Sequence, residues 1–269
     1  MTSTTSLERH AFWGLSALLF AASAAGTVGW CTSMSGAGTA MAGMPMPGGW
    51  TMSMAWMRMP GQTWPGAAAS FLGMWVVMMV AMMLPSLLPM LRRFRAAIGG
   101  VGPWSVSRLS AVAAVGYFFV WSLVGIAIFP LGIALASLEM RRAPVARAVP
   151  LAVGAVVLLA GLLQLTRWKA RQLVCCRESP GCDGRLPARA GAAWRHGLRL
   201  GAQCTRCCAG LMAVLLVTGV MDLGAMLVVA AAVTAERLAP AGQRVARGTG
   251  MVFVGVGLFL IARATGLGG

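Results

Sequence analysis

Long apolar runs constrain the fold of this chain more than any other feature. A helix of about 20 apolar residues crosses the hydrocarbon core of a bilayer, and it satisfies its own backbone hydrogen bonds there. The sequence is 58% hydrophobic and only 10% charged, far more apolar than a soluble domain of 269 residues. We therefore predict an all-α fold, a polytopic helical transmembrane bundle of about seven spans. The predicted spans cover residues 11–31, 69–91, 110–137, 149–167, 205–220, 222–238 and 249–264.

The distribution of basic residues predicts the orientation of these spans. Of the 22 Lys and Arg residues, 17 fall in the N-terminal tail and in alternate connecting segments, and five fall in the opposite set. Basic residues concentrate on the cytoplasmic side of membrane proteins. The N-terminus is therefore predicted inside and the C-terminus outside, in a bacterial inner (cytoplasmic) membrane. These segments also explain the net charge of +16, so the expected partner is the lipid bilayer and not nucleic acid.

Composition divides the chain into three regions. Residues 1–31 form an N-terminal tail and a first transmembrane helix, which is interpreted as retained because its apolar part exceeds that of a usual signal peptide. Residues 32–68 form an extracytoplasmic loop that is rich in Met, Gly and Pro. Residues 69–269 form the transmembrane core, with a cytoplasmic Cys/Arg-rich loop at about 168–204.

Six of the seven cysteines lie on the predicted cytoplasmic side. Thiols stay reduced there, so clustered cysteines indicate metal binding or redox chemistry. Cys204, Cys207 and Cys208 have the i, i+3, i+4 spacing that places side chains on one face of a helix. Four such sulfurs form a tetrahedral zinc site, and two or three suit copper(I). The alternative is that small cysteine side chains only pack at helix crossings. The other cysteines of this candidate site are Cys175, Cys176 and Cys182.

Methionines form two further candidate sites, because the thioether is a soft ligand that selects copper(I). One is a stripe at i, i+4, i+8 on the second span, with Met79 and Met83 beside it. The other consists of M-x-M pairs in the extracytoplasmic loop. The alternatives are apolar filling of a membrane helix and a flexible linker. The stripe contains Met74, Met78 and Met82, and the loop site contains Met44, Met46, Met52 and Met54.

Acidic residues stand at both ends of the sixth predicted span. Asp222 lies at the outer end, where an aspartate caps a helix, although an ionisable residue in a membrane segment also marks a functional site. Glu236 is followed by Arg237 at the inner end. The two are expected to form an ion pair at the membrane boundary.

Five motifs, in this order, resemble a bacterial family of predicted metal-binding integral membrane proteins, the domain of unknown function 2182. They are MWVVMMVAMMLPS (74–86), GYFFVW (116–121), LLQLTRWKARQLVCCRESP (162–180), HGLRLGAQCTRCCAGLMAVLLVTGVMD (196–222) and ERLAPAGQRVARGTG (236–250). The resemblance covers most of residues 70–265 and leaves the Met-rich loop outside. It implies a membrane protein with a metal site, and members are often labelled copper chaperones. The cysteine pattern of the family resembles Cys176, Cys204, Cys207 and Cys208 here.

The sequence favours a membrane protein that handles copper(I) by binding, delivery or homeostasis, through cytoplasmic-side cysteines and extracytoplasmic methionines. Its expected protein partner is a metallochaperone or a membrane complex. One alternative is a membrane thiol–disulfide oxidoreductase that uses the vicinal cysteines. Another is a subunit of a membrane complex that is stabilised by structural zinc. No nucleotide-binding loop or HExxH helix is present in the sequence, so no catalytic residues are assigned and an enzyme is not favoured.

Overall fold

The computed structural model describes residues 2–36, 44–47, 49–53, 56, 58, 61–98, 102–178 and 187–266. Eight helices and two short strands account for most of these residues. The helices are α1 (Thr2–Gly36), α2 (Trp64–Ala97), α3 (Pro103–Arg141), α4 (Ala143–Leu165), α5 (Arg167–Glu178), α6 (Ala190–Thr218), α7 (Leu223–Leu238) and α8 (Gly242–Ala264). The strands are β1 (Met44–Met46) and β2 (Trp50–Met52).

Six of the described helices, namely α1, α2, α3, α4, α6 and α8, are long and apolar enough to cross a membrane. The predicted all-α, multi-pass helical bundle is thereby confirmed. The predicted span at 222–238 corresponds to α7, whose 16 residues measure about 24 Å as a helix. That length is less than the hydrocarbon core of about 30 Å. The prediction of about seven spans therefore becomes six full-length helices and one shorter helix in the described part of the chain.

Successive membrane helices run in alternating directions through the bundle. The Arg92 guanidinium near the end of α2 lies over the Trp13 ring near the start of α1, so these two helices are antiparallel. Arg95 of α2 donates a hydrogen bond to Ser107 at the start of α3. We call the end of the bundle that carries Arg95 and Ser107 the inner end. A turn at Gly219, whose φ is 130°, then reverses the chain between α6 and α7.

Asp222 begins α7 as its N-cap residue. Its carboxylate accepts a hydrogen bond of 2.8 Å from the backbone N–H of Ala225. This bond satisfies one of the donors that the first turn of a helix leaves free. The capping role that the sequence predicts for Asp222 is therefore confirmed.

Glycines allow two pairs of helices to approach closely. On α6, a Cβ atom at Gly197 would lie 2.1 Å from the carbonyl oxygen of Ala113 in α3. On α4, a Cβ atom at Gly161 would lie 2.7 Å from the backbone nitrogen of Val254 in α8. Real Cβ atoms do not tolerate such distances from backbone atoms, so any larger residue forces these helices apart. The glycine at position 197 thus fixes α6, which carries three cysteines, against α3.

The segment predicted as a cytoplasmic loop at about 168–204 is largely helical. It contains α5 and the first half of α6, which begins at Ala190, well before the predicted start of the fifth span at 205. Arg, Lys, Gln, Leu and Ala all favour helices, so high polarity marks an amphipathic helix here. Cys204 therefore lies about 21 Å along α6 from its first residue, inside the bundle and not in a loop at its mouth.

Part of the Met-rich segment forms a β-hairpin that is attached to the bundle. Strands β1 and β2 pair antiparallel, with Met44 opposite Met52 and Met46 opposite Trp50. The indole N–H of Trp50 donates a hydrogen bond of 2.8 Å to the carbonyl oxygen of Ala146 in α4. This contact fixes the hairpin at the end of the bundle opposite the inner end, which a free linker would not explain.

Candidate metal centre

Four buried cysteines line the interface between α5 and α6. Cys204, Cys207 and Cys208 share one face of α6, as their spacing predicts, and are at most 3% exposed. Cys176 of α5 is fully buried and donates a hydrogen bond of 3.3 Å to the carbonyl oxygen of Gln203. A thiol–thiol hydrogen bond to Cys207, together with burial, raises the pKa of the Cys176 thiol. The structure thus brings together the four cysteines that the family resemblance implies.

Three sulfur atoms meet at Cys204. Its Sγ atom lies 3.9 Å from Sγ of Cys208 and 3.9 Å from Sδ of Met83 in α2. Sulfurs that share one ion in a trigonal arrangement, with bonds of about 2.3 Å, lie about 4 Å apart. The two measured separations match that value. We call Cys204, Cys208 and Met83 the sulfur triad.

The sulfur triad differs from a site built of cysteine and histidine alone. Among the described residues, no group of three or more His, Cys, Asp or Glu side chains is placed to hold a metal ion. The triad contains two cysteines, and its third donor is an uncharged thioether. Sulfur sets of this kind match the soft ion copper(I) better than zinc, which takes four ligands in structural sites.

Tyr117 of α3 completes the surroundings of Cys204. Its hydroxyl group donates a hydrogen bond of 2.9 Å to Sγ of Cys204, and its side chain is fully buried. The close contact of α3 with α6 at Gly197, less than two helical turns from Cys204, makes this bond possible. Sequence reasoning missed Tyr117. The available signal was that this single tyrosine of the chain interrupts an otherwise apolar run.

A buried ion pair lies beside the cysteines. Lys169 Nζ is 2.8 Å from a carboxylate oxygen of Glu236, and both side chains are at most 4% exposed. Lys169 also donates a hydrogen bond of 2.7 Å to the carbonyl oxygen of Cys207. The amide of Gln164 donates to the second oxygen of Glu236. This network connects the ends of α4 and α7, the start of α5 and the middle of α6.

The predicted ion pair between Glu236 and Arg237 is wrong. Consecutive residues on a helix do not face each other, so Glu236 faces Lys169 while Arg237 faces α2. There Arg237 Nη1 donates a hydrogen bond of 3.0 Å to the hydroxyl of Ser86, which in turn donates to the carbonyl oxygen of Met83. Sequence reasoning therefore missed Lys169 and Ser86 as neighbours of the cysteines. A lysine that follows the end of an apolar span was the available signal.

The remaining predicted cysteine ligands lie apart from the sulfur triad. Cys175 is exposed on α5, because the neighbouring residue Cys176 occupies the buried face of this short helix. Cys182 lies outside the described residues.

The predicted methionine stripe lies inside the bundle, one residue away from the contact with the cysteines. All three of its members are at most 4% exposed and pack in the apolar core. Met83, adjacent to the last of them, reaches Cys204. The stripe consists of Met74, Met78 and Met82.

The extracytoplasmic methionines are only partly described. Met52 is 2% exposed and Met46 is half-buried in the hairpin. For Met44 the strand register is given, whereas its side chain lies outside the described part. Met54 also lies outside the described residues.

A family model described as PpoB2, copper chaperone, matches residues 72–260, more than two thirds of the chain. The match runs from α2 into α8, so it includes the sulfur triad and leaves out α1 and the hairpin. No curated protein sequence matches the chain, and no solved structure matches it. The matched region is therefore the same region that builds the site.

Proposed function

We propose that this chain, which belongs to the PpoB2 copper chaperone family, is a multi-pass membrane chaperone that holds copper(I) at the sulfur triad. We place it in the bacterial cytoplasmic membrane, with the cysteines nearer the cytoplasmic side. One observation carries this proposal. The Sγ atom of Cys204 lies 3.9 Å from both the Cys208 sulfur and the Met83 sulfur.

The chemistry of the sulfur triad fits copper(I) as cargo. Thiolates and thioethers are the soft donors that copper(I) prefers. All three side chains are at most 2% exposed, so a bound ion is shielded from water and from oxidants. Tyr117 donates its hydroxyl proton toward Cys204, and such a bond stabilises negative charge on the sulfur. Cys176 and Cys207 lie next to the triad as candidate sulfurs for receiving the ion during exchange.

A route for the ion follows from the order of soft side chains along the bundle. Extracytoplasmic methionines, among them Met46 and Met52, would collect copper(I) at the hairpin. The buried methionine stripe on α2 would then carry it inward toward Met83. The exposed Cys175 and the adjacent Cys182 would pass it to a metallochaperone or a membrane complex. The depth of the stripe inside the core supports this path.

The test is a titration of purified protein in lipid nanodiscs, without oxygen, with copper(I) against a colorimetric chelator. Wild type is expected to take up copper(I), and Cys204→Ser/Cys208→Ser is expected to lose this binding. Cys175→Ser is the matched control, because this exposed cysteine lies apart from the sulfur triad, and it should bind as wild type does. Unchanged affinity and stoichiometry in the double variant would contradict the proposal. Wild type that binds zinc but not copper(I) would favour the zinc-stabilised subunit instead.

A further inference from the structure

We propose that the buried guanidinium of Arg237 makes the sulfur triad selective for a monovalent soft cation over a divalent one. This selectivity rests on the copper-binding function proposed above. It adds the means by which the same sulfurs would discriminate between metals.

Arg237 carries a full positive charge into the bundle. The residue lies near the end of α7 and is only 6% exposed. A guanidinium has five N–H donors and stays protonated in proteins. Here Nη1 donates to Ser86, whereas Nε and Nη2 are buried and have no hydrogen-bond partner in the described part of the chain. The charge is thus buried with donors unused.

No carboxylate of the described residues balances this charge. The adjacent Glu236 is paired with Lys169, which is the one ion pair found among those residues. Asp222 caps the other end of α7. Burying a charge without a partner is strongly unfavourable. A compensating negative charge must therefore come from elsewhere, and it must appear close to the guanidinium.

The groups that face Arg237 identify where that negative charge appears. The guanidinium interacts electrostatically with Cys204, Cys208 and Tyr117. Its hydrogen bond to Ser86 continues to the carbonyl oxygen of Met83, the third residue of the sulfur triad. Arg237 is therefore oriented by the same helix turn that provides the thioether ligand.

The charges of the loaded site then balance for a monovalent ion. When copper(I) binds, the thiols of Cys204 and Cys208 each release a proton to solvent and form one sulfur–copper bond, and the Met83 thioether adds no charge. Two thiolates and one monovalent cation carry one net negative charge, which Arg237 neutralises. A divalent ion such as zinc leaves one net positive charge. In surroundings of low dielectric constant that charge is costly.

The test compares dissociation constants for copper(I) and zinc(II), measured by chelator competition on the full chain in nanodiscs without oxygen. In Arg237→Gln, copper(I) affinity should fall about 30-fold or more, as when one partner of a buried charge pair is removed, and zinc(II) affinity should rise. Arg237→Lys keeps the charge and should keep the preference for copper(I). Arg244→Gln, an exposed position on α8, should leave both constants unchanged.

An unchanged ratio of the two affinities in Arg237→Gln would overturn the inference. Equal losses for both ions would do so too, because they would assign Arg237 a purely structural role. Proton release gives a measurement on wild type alone: two protons per copper(I) are expected, and three would contradict the charge balance. Wild type without any copper(I) binding would refute the proposed function itself. Wild-type binding with an unchanged ratio in Arg237→Gln would refute only the selectivity.

Discussion

Met83 is the residue at which packing and ligation can be separated experimentally. Its side chain is fully buried, and its sulfur lies 3.9 Å from Sγ of Cys204. Leucine has nearly the same volume as methionine but has no sulfur. Exchanges of methionine and leucine usually change the free energy of unfolding by less than about 1.5 kcal/mol. The substitution therefore removes the ligand while leaving the core almost intact.

We expect Met83→Leu to weaken copper(I) binding about tenfold or more, the lower bound found when even an outer-shell partner of a metal is lost. Its thermal stability without metal should stay close to that of wild type. Chelator competition measures the first effect, and thermal denaturation in nanodiscs measures the second. Met90→Leu is the matched control, because Met90 is buried about two turns further along the same helix. Equal copper(I) affinities in the two variants would exclude the Met83 thioether as a ligand.

Sequence spacing predicted part of this site at the level of residues. The i, i+3, i+4 pattern places Cys204, Cys207 and Cys208 on one helix face, and the structure has them there. Which other side chains reach those sulfurs depends on how α2, α3 and α7 pack against α6. That packing is not encoded in local periodicity, so Tyr117 and Arg237 could not be assigned.

At the level of elements, glycine contacts position the cysteine-bearing helix. Gly197 of α6 lies against the backbone of Ala113 in α3, where a Cβ atom would be 2.1 Å from the carbonyl oxygen. An added methyl group must push the two helices apart. Since Tyr117 lies one turn beyond Ala113, its hydrogen bond to Cys204 depends on this contact.

We expect Gly197→Ala to lower the free energy of unfolding by about 1–3 kcal/mol, the usual effect of overpacking, and to weaken copper(I) binding. Gly191→Ala on the same helix is the control, because nothing lies within 4 Å of an added Cβ there. Alanine favours a helix over glycine by about 0.5–1 kcal/mol, so this control should be as stable as wild type or slightly more stable. Thermal denaturation compares the two variants. Equal stabilities would show that α3 and α6 can separate freely.

Elements were predictable where hydrophobicity defines them. Every predicted apolar run lies on a helix, because a long apolar segment has few other ways to satisfy its backbone. The first half of α6 and the whole of α5 were predicted as loop, since their arginines and lysines hide an amphipathic pattern. The hairpin of β1 and β2 was interpreted as a linker because its register depends on contacts such as that of Trp50 with Ala146.

The orientation of the whole molecule in its membrane stays a prediction from the distribution of basic residues. Cys175 offers a direct probe, because this thiol is exposed and lies on the helix that follows the inner end of α4. The alternating directions of the helices place the exposed Thr265 at the opposite end, after α8. The two positions therefore report on opposite faces of the membrane.

We expect a membrane-impermeant thiol reagent to label Cys175 in inside-out vesicles and not in right-side-out vesicles. The protein should carry Cys182→Ser so that the label reports on one exposed cysteine of this region. In a Cys175→Ser background, Thr265→Cys should show the reverse pattern, and mass spectrometry identifies the labelled peptide. Labelling of Cys175 from the outside would reverse the predicted orientation, and it would make the oxidoreductase alternative stronger.

The wide sequence separations within the site also determine when it comes into existence. Met83 and Cys204 are 121 positions apart, and Ser86 and Arg237 are 151 apart. Contacts of such separation form late, after the intervening chain has been ordered. While the ribosome is still delivering the chain to the membrane, two thiols without their counter-charge exist, but no finished site does. Metal loading is therefore a step of protein maturation that follows insertion of α7, and an immature copy does not compete with finished copies for the ion.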